Sequence, residues 1–219
     1  MSGFVFAPPA PVSLAVAGTE ALFPVRRIFC VGRNYADHAA EMGAEVDREA
    51  PFYFTKSAHA VTASGATIPY PPGTADFHHE VELVVALGEG GGIFGCAVGL
   101  DMTRRDLQAA AKDKRRPWDT GKDFENSAVI APLSQDFAIA DQAIALSVNG
   151  TPRQQAKLSD MVWSVPEILA HLGTLYTLRA GDVIFTGTPA GVGAVRPGDV
   201  LEGRIEGLAP VRLTIQPRE

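Results

Sequence analysis

His78–Asp101, HHEVELVVALGEGGGIFGCAVGLD, is the stretch on which the fold is decided. VELVVALG reads as a strand, and Val81, Leu83, Val84 and Val85 make it apolar on both faces. GEGGG breaks it, and IFGCAVGLD resumes as a second apolar strand with Asp101 at its polar end. TRRDLQAAAKDKR follows with helical composition, and Asp101 or Thr103 is the expected cap. Upstream, RRIFCVG is a strand by its β-branched and aromatic run, YADHAAEM is a short helix stopped by Gly43, and PFYFTK is a further strand. IPYPPGTADF makes an extended, turn-rich approach to the VELVVALG strand. Downstream, IALSVNG ends on an Asn149-Gly150 hairpin signal. SVPEILAHL opens on a capping box, Ser164 to Glu167, with Ile168, Leu169 and Leu172 on the apolar side of a short helix. DVIFTGTPAGVG runs from a strand into a glycine-rich loop, and PVRLTIQ alternates Val211, Leu213 and Ile215 inward with Arg212 and Thr214 outward. Many strands and three short helices predict an α+β, mainly β domain.

Composition agrees with that reading. The 219 residues are 46% hydrophobic and 20% charged, close to the globular average, so neither disorder nor a membrane protein is expected. Twenty-two glycines and 16 prolines argue against long helices. One domain is expected over residues 26–219, with the proline-rich residues 1–25 as an N-terminal arm. The net charge is −6 and no basic run forms a stripe, which argues against nucleic acid as a partner. The segment MSGFVFAPPAPVSLAVAG lacks a basic start and is broken by Pro8, Pro9 and Pro11. It is a poor signal peptide or membrane span, and a cytoplasmic location is expected. Cys30 and Cys96 sit in apolar runs and are expected as buried thiols.

The chemistry starts at Glu80-Val81-Glu82. Strand side chains alternate, so two carboxylates at i and i+2 converge at one strand end, where an unpaired pair beside apolar neighbours is costly. A cation resolves the cost, and Asp101 is the natural third oxygen ligand. An all-carboxylate set favours Mg2+, Mn2+ or Ca2+ over Zn2+. His38 and Glu41 are neighbours on one helix face, as a general base and its orienting carboxylate would be, although such pairs are commonly ordinary surface pairs. Arg105 and Gln108, also i and i+3, with Lys122 from the next loop, could supply donors to an oxyanion; surface charge is the plainer alternative. His78 and His79 beside Glu80 could ligate, but contact with solvent or with the ligands' surroundings is the expectation. GGGIFG formally matches G-x-G-x-x-G, but a strand follows where a helix must open, so no dinucleotide site is expected.

GRNYADHAAEMG, HHEVELVVALG, GLDMTRRDLQ, WDTGKDFENS and DVIFTGTPAGVG, in this order, resemble the fumarylacetoacetate hydrolase family, most closely its short, single-domain acylpyruvate hydrolases. The resemblance runs from about Arg26 to the C-terminus. It implies a mixed β-sandwich roll with a few short helices, a homodimer, and one divalent metal, Mg2+ or Mn2+. The family's metal ligands fall on Glu80, Glu82 and Asp101, and its water-activating pair falls on His38 and Glu41. Its oxyanion and substrate donors fall on Arg105, Gln108 and Lys122, with a substrate contact at Thr188. Lys56 matches a strand lysine that faces substrate in short members. Larger members draw another metal carboxylate from an N-terminal domain without a counterpart here.

The implied reaction is hydrolysis of the C–C bond of an acylpyruvate, with fumarylpyruvate giving fumarate and pyruvate, as in gentisate-type aromatic catabolism. Its second carboxylate needs a cation, for which Arg33 and Arg116 are candidates. A decarboxylase or isomerase acting on oxaloacetate or a 2-oxo-dienedioate is the alternative on the same scaffold. A noncatalytic β domain binding a metal and dicarboxylates is the alternative of another class.

Overall fold

The computed structural model describes residues 3–41, 43, 48 and 50–218. Seven strands form the main sheet, in the order Tyr53–Lys56, Arg27–Val31, Asp182–Phe185, Val81–Leu87, Ile93–Asp101, Ala128–Ile130, Val61–Ala63. Five more, Thr151–Lys157, Ala143–Val148, Val200–Ile205, Val211–Gln216 and Ala66–Pro69, form a second sheet. Leu83, Val85, Val98 and Leu100 from the first pack with Ile144, Leu146, Leu201 and Leu213 from the second in one core. The result is a mixed, mainly β fold, a sandwich rolled around that core.

VELVVAL is buried at every position because the main sheet is covered on both faces. Leu83, Val85 and Leu87 face the inter-sheet core. Val84 and Ala86 face a second core with Ile28, Cys30 and Phe185, closed by Leu14, Val16, Phe23 and Val25. Those last four belong to the segment expected as an arm. There, Ser13–Ala15 and Leu22–Pro24 pair as a small antiparallel ribbon, and Leu14 and Phe23 point into the core. Both cysteines are free and buried.

Four α-helices occur among the described residues. Ala36–Glu41 stops before Gly43, whose φ of +69° and N–H bond to the Ala40 carbonyl close the turn. Met42, expected within this helix, lies outside the described residues. Val165–Leu175 carries the expected capping box, in which the Ser164 N–H donates to Glu167 Oε2 at 2.8 Å. Arg105–Asp113 starts later than expected, with Arg104 at its cap position. Asp101 and Thr103 are corrected as caps, because both are held in strands and turned to ion-pair and hydrogen-bond partners described below. A single helical turn, Asp119–Lys122, arises where a loop was expected. The Asn149-Gly150 turn has both φ angles positive, 52° and 76°, as its hairpin requires.

Candidate metal centre and catalytic cleft

Glu80 follows the short strand Phe77–His79, and Glu82 lies in the central strand Val81–Leu87. Asp101 ends the antiparallel neighbour, and its N–H donates to the Glu80 carbonyl at 2.9 Å. The register therefore brings the three carboxylates together: one oxygen from each lies within 4.8 Å of the others, and all three residues are buried. Their surroundings fit a divalent cation. Asp101 Oδ1 is buried and faces Lys56 Nζ at 2.9 Å. Burial, then the charges of Asp101 and Glu80, push the Glu82 carboxyl well above the usual carboxylate range. Hard oxygen donors without sulfur or imidazole suit Mg2+ or Mn2+. The residues would hold one such ion.

Three cations offset this charge. Lys122 Nζ lies 2.8 Å from Glu80 Oε2, 2.7 Å from Asp101 Oδ2 and 2.7 Å from Thr103 Oγ1, so all three of its donors are used. Burial alone would lower its pKa, but Asp101 and Glu80 outweigh that and hold the ammonium above the usual lysine range. Arg105 donates to Glu80 Oε1 and, at 2.6 Å, to Gln108 Oε1. That bond fixes the Gln108 amide with its NH2 group free to donate elsewhere. Burial would raise the Glu80 pKa; Lys122 and Arg105 overcome it and hold the carboxylate far below its usual range.

His38 is buried, and its Nδ1 lies 3.3 Å from Glu41 Oε2. Glu41 is itself held by the Gly191 N–H, 3.1 Å from Oε2. Gly191 is needed there: its φ is +94°, and a Cβ would meet the Arg153 carbonyl oxygen at 2.0 Å. With Nδ1 engaged by the carboxylate, Nε2 is the ring nitrogen left to take a proton.

One cleft is lined by His38, Glu80, Glu82, Arg105, Gln108, Lys122, Thr188 and Arg33, so the structure gathers most of the residues singled out from sequence. Lys56 is not among the lining residues. Its side chain is wholly buried beneath the carboxylates, where Nζ contacts Asp101, the Lys122 carbonyl and Ser127 Oγ. It braces the centre from below rather than facing the cleft. Arg116 does not line this cleft; it borders an adjoining aromatic hollow with Phe29, Phe52 and Tyr176, which shares Phe54, Trp118 and Lys122 with the cleft. His78 and His79 stay outside the carboxylate cluster: His78 Nε2 pairs with Asp76 at 2.8 Å and His79 Nδ1 with Gln154 at 2.9 Å.

Sequence reading missed two buried amides that lock the site. Gln154, from the five-stranded sheet, accepts the Val81 N–H at 3.1 Å and donates to Thr188 Oγ1 at 2.7 Å and the Pro189 carbonyl at 2.8 Å. It thus ties the strand between the two glutamates to the glycine-rich loop. Asn34 donates to the Trp163 and Thr186 carbonyls, placing the next residue, Gly187, so that its N–H reaches Glu82 Oε2 at 2.6 Å. No local pattern marks either: Gln154 is one buried polar residue in an otherwise open strand, TPRQQAK.

Comparison with known proteins agrees with this geometry. The model of the fumarylacetoacetate (FAA) hydrolase C-terminal family matches residues 27–216. A fumarylpyruvate hydrolase from Ralstonia sp is 50% identical over 193 residues, covering 81% of this chain and all of the relative. The mitochondrial oxaloacetate tautomerase of Rattus norvegicus is 39% identical over 204 residues, covering 87% of this chain and 92% of the relative. Among solved structures, fumarylpyruvate hydrolase from Pseudomonas aeruginosa in complex with Mn2+ and pyruvate superposes with a TM-score of 0.95 at 45% identity, covering 99% of this chain and 100% of that one.

Proposed function

The chain belongs to the fumarylacetoacetate hydrolase family, and we propose that it is a metal-dependent hydrolase cleaving fumarylpyruvate to fumarate and pyruvate. The observation that carries this is the meeting, at one cleft, of a buried histidine oriented by Glu41, a set of N–H donors and Glu80 and Glu82 of the three-carboxylate centre. Glu80, Glu82 and Asp101 would hold one divalent cation, which when bound would supply positive charge to stabilise a pyruvate enolate. His38, oriented by Glu41, takes a proton from water at Nε2, and that water attacks the distal carbonyl. Arg105 and Gln108 supply N–H donors to the tetrahedral oxyanion, and Lys122, whose three donors go to Glu80, Asp101 and Thr103, adds positive charge beside it. Thr188 lines the cleft; its hydroxyl donates to the Val81 carbonyl at 2.8 Å, which fixes the loop against the ligand strand. Lys56 neutralises Asp101 from below.

Release of free pyruvate from fumarylpyruvate, dependent on Mg2+ or Mn2+, tests the proposal. A metal-loaded protein that releases none would refute it. Oxaloacetate belongs in the same assay, because the oxaloacetate tautomerase relative is 39% identical and an oxaloacetate enol needs the same charge stabilisation. Turnover of oxaloacetate without fumarylpyruvate would move the assignment to that relative's activity.

The proposal includes one catalytic unit over residues 26–219 with residues 1–25 as an N-terminal arm whose ribbon packs into the unit's second core, in a cytoplasmic homodimer. The family match over 27–216 supports the unit. Exposed Phe4, Phe6, Leu175 and Tyr176 offer apolar surface to a second copy. Sedimentation as a monomer at micromolar concentration would remove the dimer.

A further inference from the structure

The cleft has a second cationic end. Lys112 follows Arg105 by two turns on the same helix, so both lie on one face, and Lys112 lines the cleft together with Arg33, Phe54 and Trp118. Lys112 Nζ is 4.8 Å from the Trp118 ring centroid. Trp118 is 6.0 Å from Phe54, and Phe54 is 5.0 Å from Lys122 Nζ. Two aromatic rings therefore bridge the lysine of the carboxylate centre and a second lysine farther along the wall. Arg105 and Lys122 are committed to Glu80 and Asp101. Lys112 and Arg33 form no ion pair among the described residues.

We propose that Lys112, assisted by Arg33, binds a second carboxylate at the far end of the acyl group and so selects a planar, dianionic acylpyruvate over a short neutral acyl chain. This rests on the acylpyruvate hydrolysis proposed above. The aromatic wall suits a flat conjugated chain, and a carboxylate at its end meets a cation with no competing internal partner among the described residues. Burial, then the charges of Arg105 and Arg33, lower the Lys112 pKa to about 8. An incoming anion relieves that repulsion. Arg116 borders the adjoining aromatic hollow, which shares Phe54 and Trp118 with the cleft but is not lined by Lys112 or Arg33.

The test compares fumarylpyruvate with acetylpyruvate in the wild type, Lys112→Met and Lys112→Arg, with free pyruvate as the readout. In Lys112→Met the fumaryl-to-acetyl ratio of kcat/KM is expected to fall about tenfold to a hundredfold, mainly through KM, which is the size of one charge-assisted hydrogen bond. Lys112→Arg should restore most of the ratio. A ratio within threefold of wild type in Lys112→Met, or equal losses on both substrates, would overturn the subsite. A wild-type protein inactive on both substrates would instead refute the reaction. The subsite is then judged by calorimetry of fumarate against crotonate with the metal-loaded wild type and Lys112→Met: a tenfold loss confined to fumarate sustains it, and equal affinities end it.

Discussion

Replacing Gln154 with leucine removes an amide that no step of the reaction uses. Its oxygen accepts the Val81 N–H and faces His79 Nδ1; its nitrogen donates to Thr188 and to the Pro189 carbonyl. Leucine leaves the buried Val81 N–H and the buried His79 nitrogen without partners. Each orphan costs about 1–3 kcal/mol, so the variant should be destabilised by about 2–6 kcal/mol. Thr188 Oγ1 keeps its bond to the Val81 carbonyl and adds little to that sum, while the Pro189 carbonyl loses its Gln154 donor and places the loss toward the upper end. For a chain of this length the loss corresponds to a Tm lowered by at least about 4 °C. Because Val81 sits between Glu80 and Glu82, Mn2+ affinity should weaken along with stability, a readout that a merely distant packing defect would leave in place. Urea unfolding and calorimetric Mn2+ titration, each on the wild type and Gln154→Leu, give the two numbers. A stability loss under about 1 kcal/mol with unaltered Mn2+ affinity would refute the view that Gln154 organises the centre.

Other perturbations separate the site's components. Mn2+ at a hundred times its Kd should stabilise the wild type by about 2.7 kcal/mol; Glu82→Ala should show no such gain and no metal-dependent turnover. His38→Ala should lose turnover by about 100-fold to 10,000-fold while still binding Mn2+ and oxalate; wild-type rates would place the base elsewhere. Gly191→Ala should cost at least about 1 kcal/mol, because φ is +94° and the added Cβ meets a carbonyl oxygen, and kcat should fall as Glu41 loses its N–H donor. Asp182→Ala removes the buried acceptor of Arg26, Arg27 and the Arg179 N–H, and thermal melts should show a loss of about 3 kcal/mol with Mn2+ binding intact.

What the sequence shows and what it hides follow from the range of each interaction. The alternation that turns Glu80 and Glu82 to one side is local to a strand, and the i, i+3 spacing that pairs His38 with Glu41 is local to a helical turn. Both can be read along the chain, as can the Asn149-Gly150 turn and the Ser164 cap. Gln154 and Asn34 act through partners 34 to 152 residues away, which no window of sequence contains. The expected caps at Asp101 and Thr103 fail for a related reason: Lys122, 21 residues from Asp101, claims that carboxylate before the helix can use it. Lys56, expected to face substrate, lies beneath the carboxylates, because Ser127 and the Lys122 carbonyl, 71 and 66 residues away, close over it. The two-faced burial of VELVVAL implied a cover that the strand itself does not identify; the ribbon at residues 13–24 supplies it.

The parallel pairing of Arg27–Val31 with Asp182–Phe185 joins strands about 155 residues apart, and the cleft lies where that pairing meets the central hairpin. Neither His38 nor Thr188 can take its place before this closure, whereas the Val81–Leu87 and Ile93–Asp101 strands can pair early through their short connection. Loop-closure entropy makes such distant pairings slow relative to local ones. During refolding, circular dichroism should therefore recover ahead of turnover, and the delay between them measures the time the chain needs to bring its two ends together.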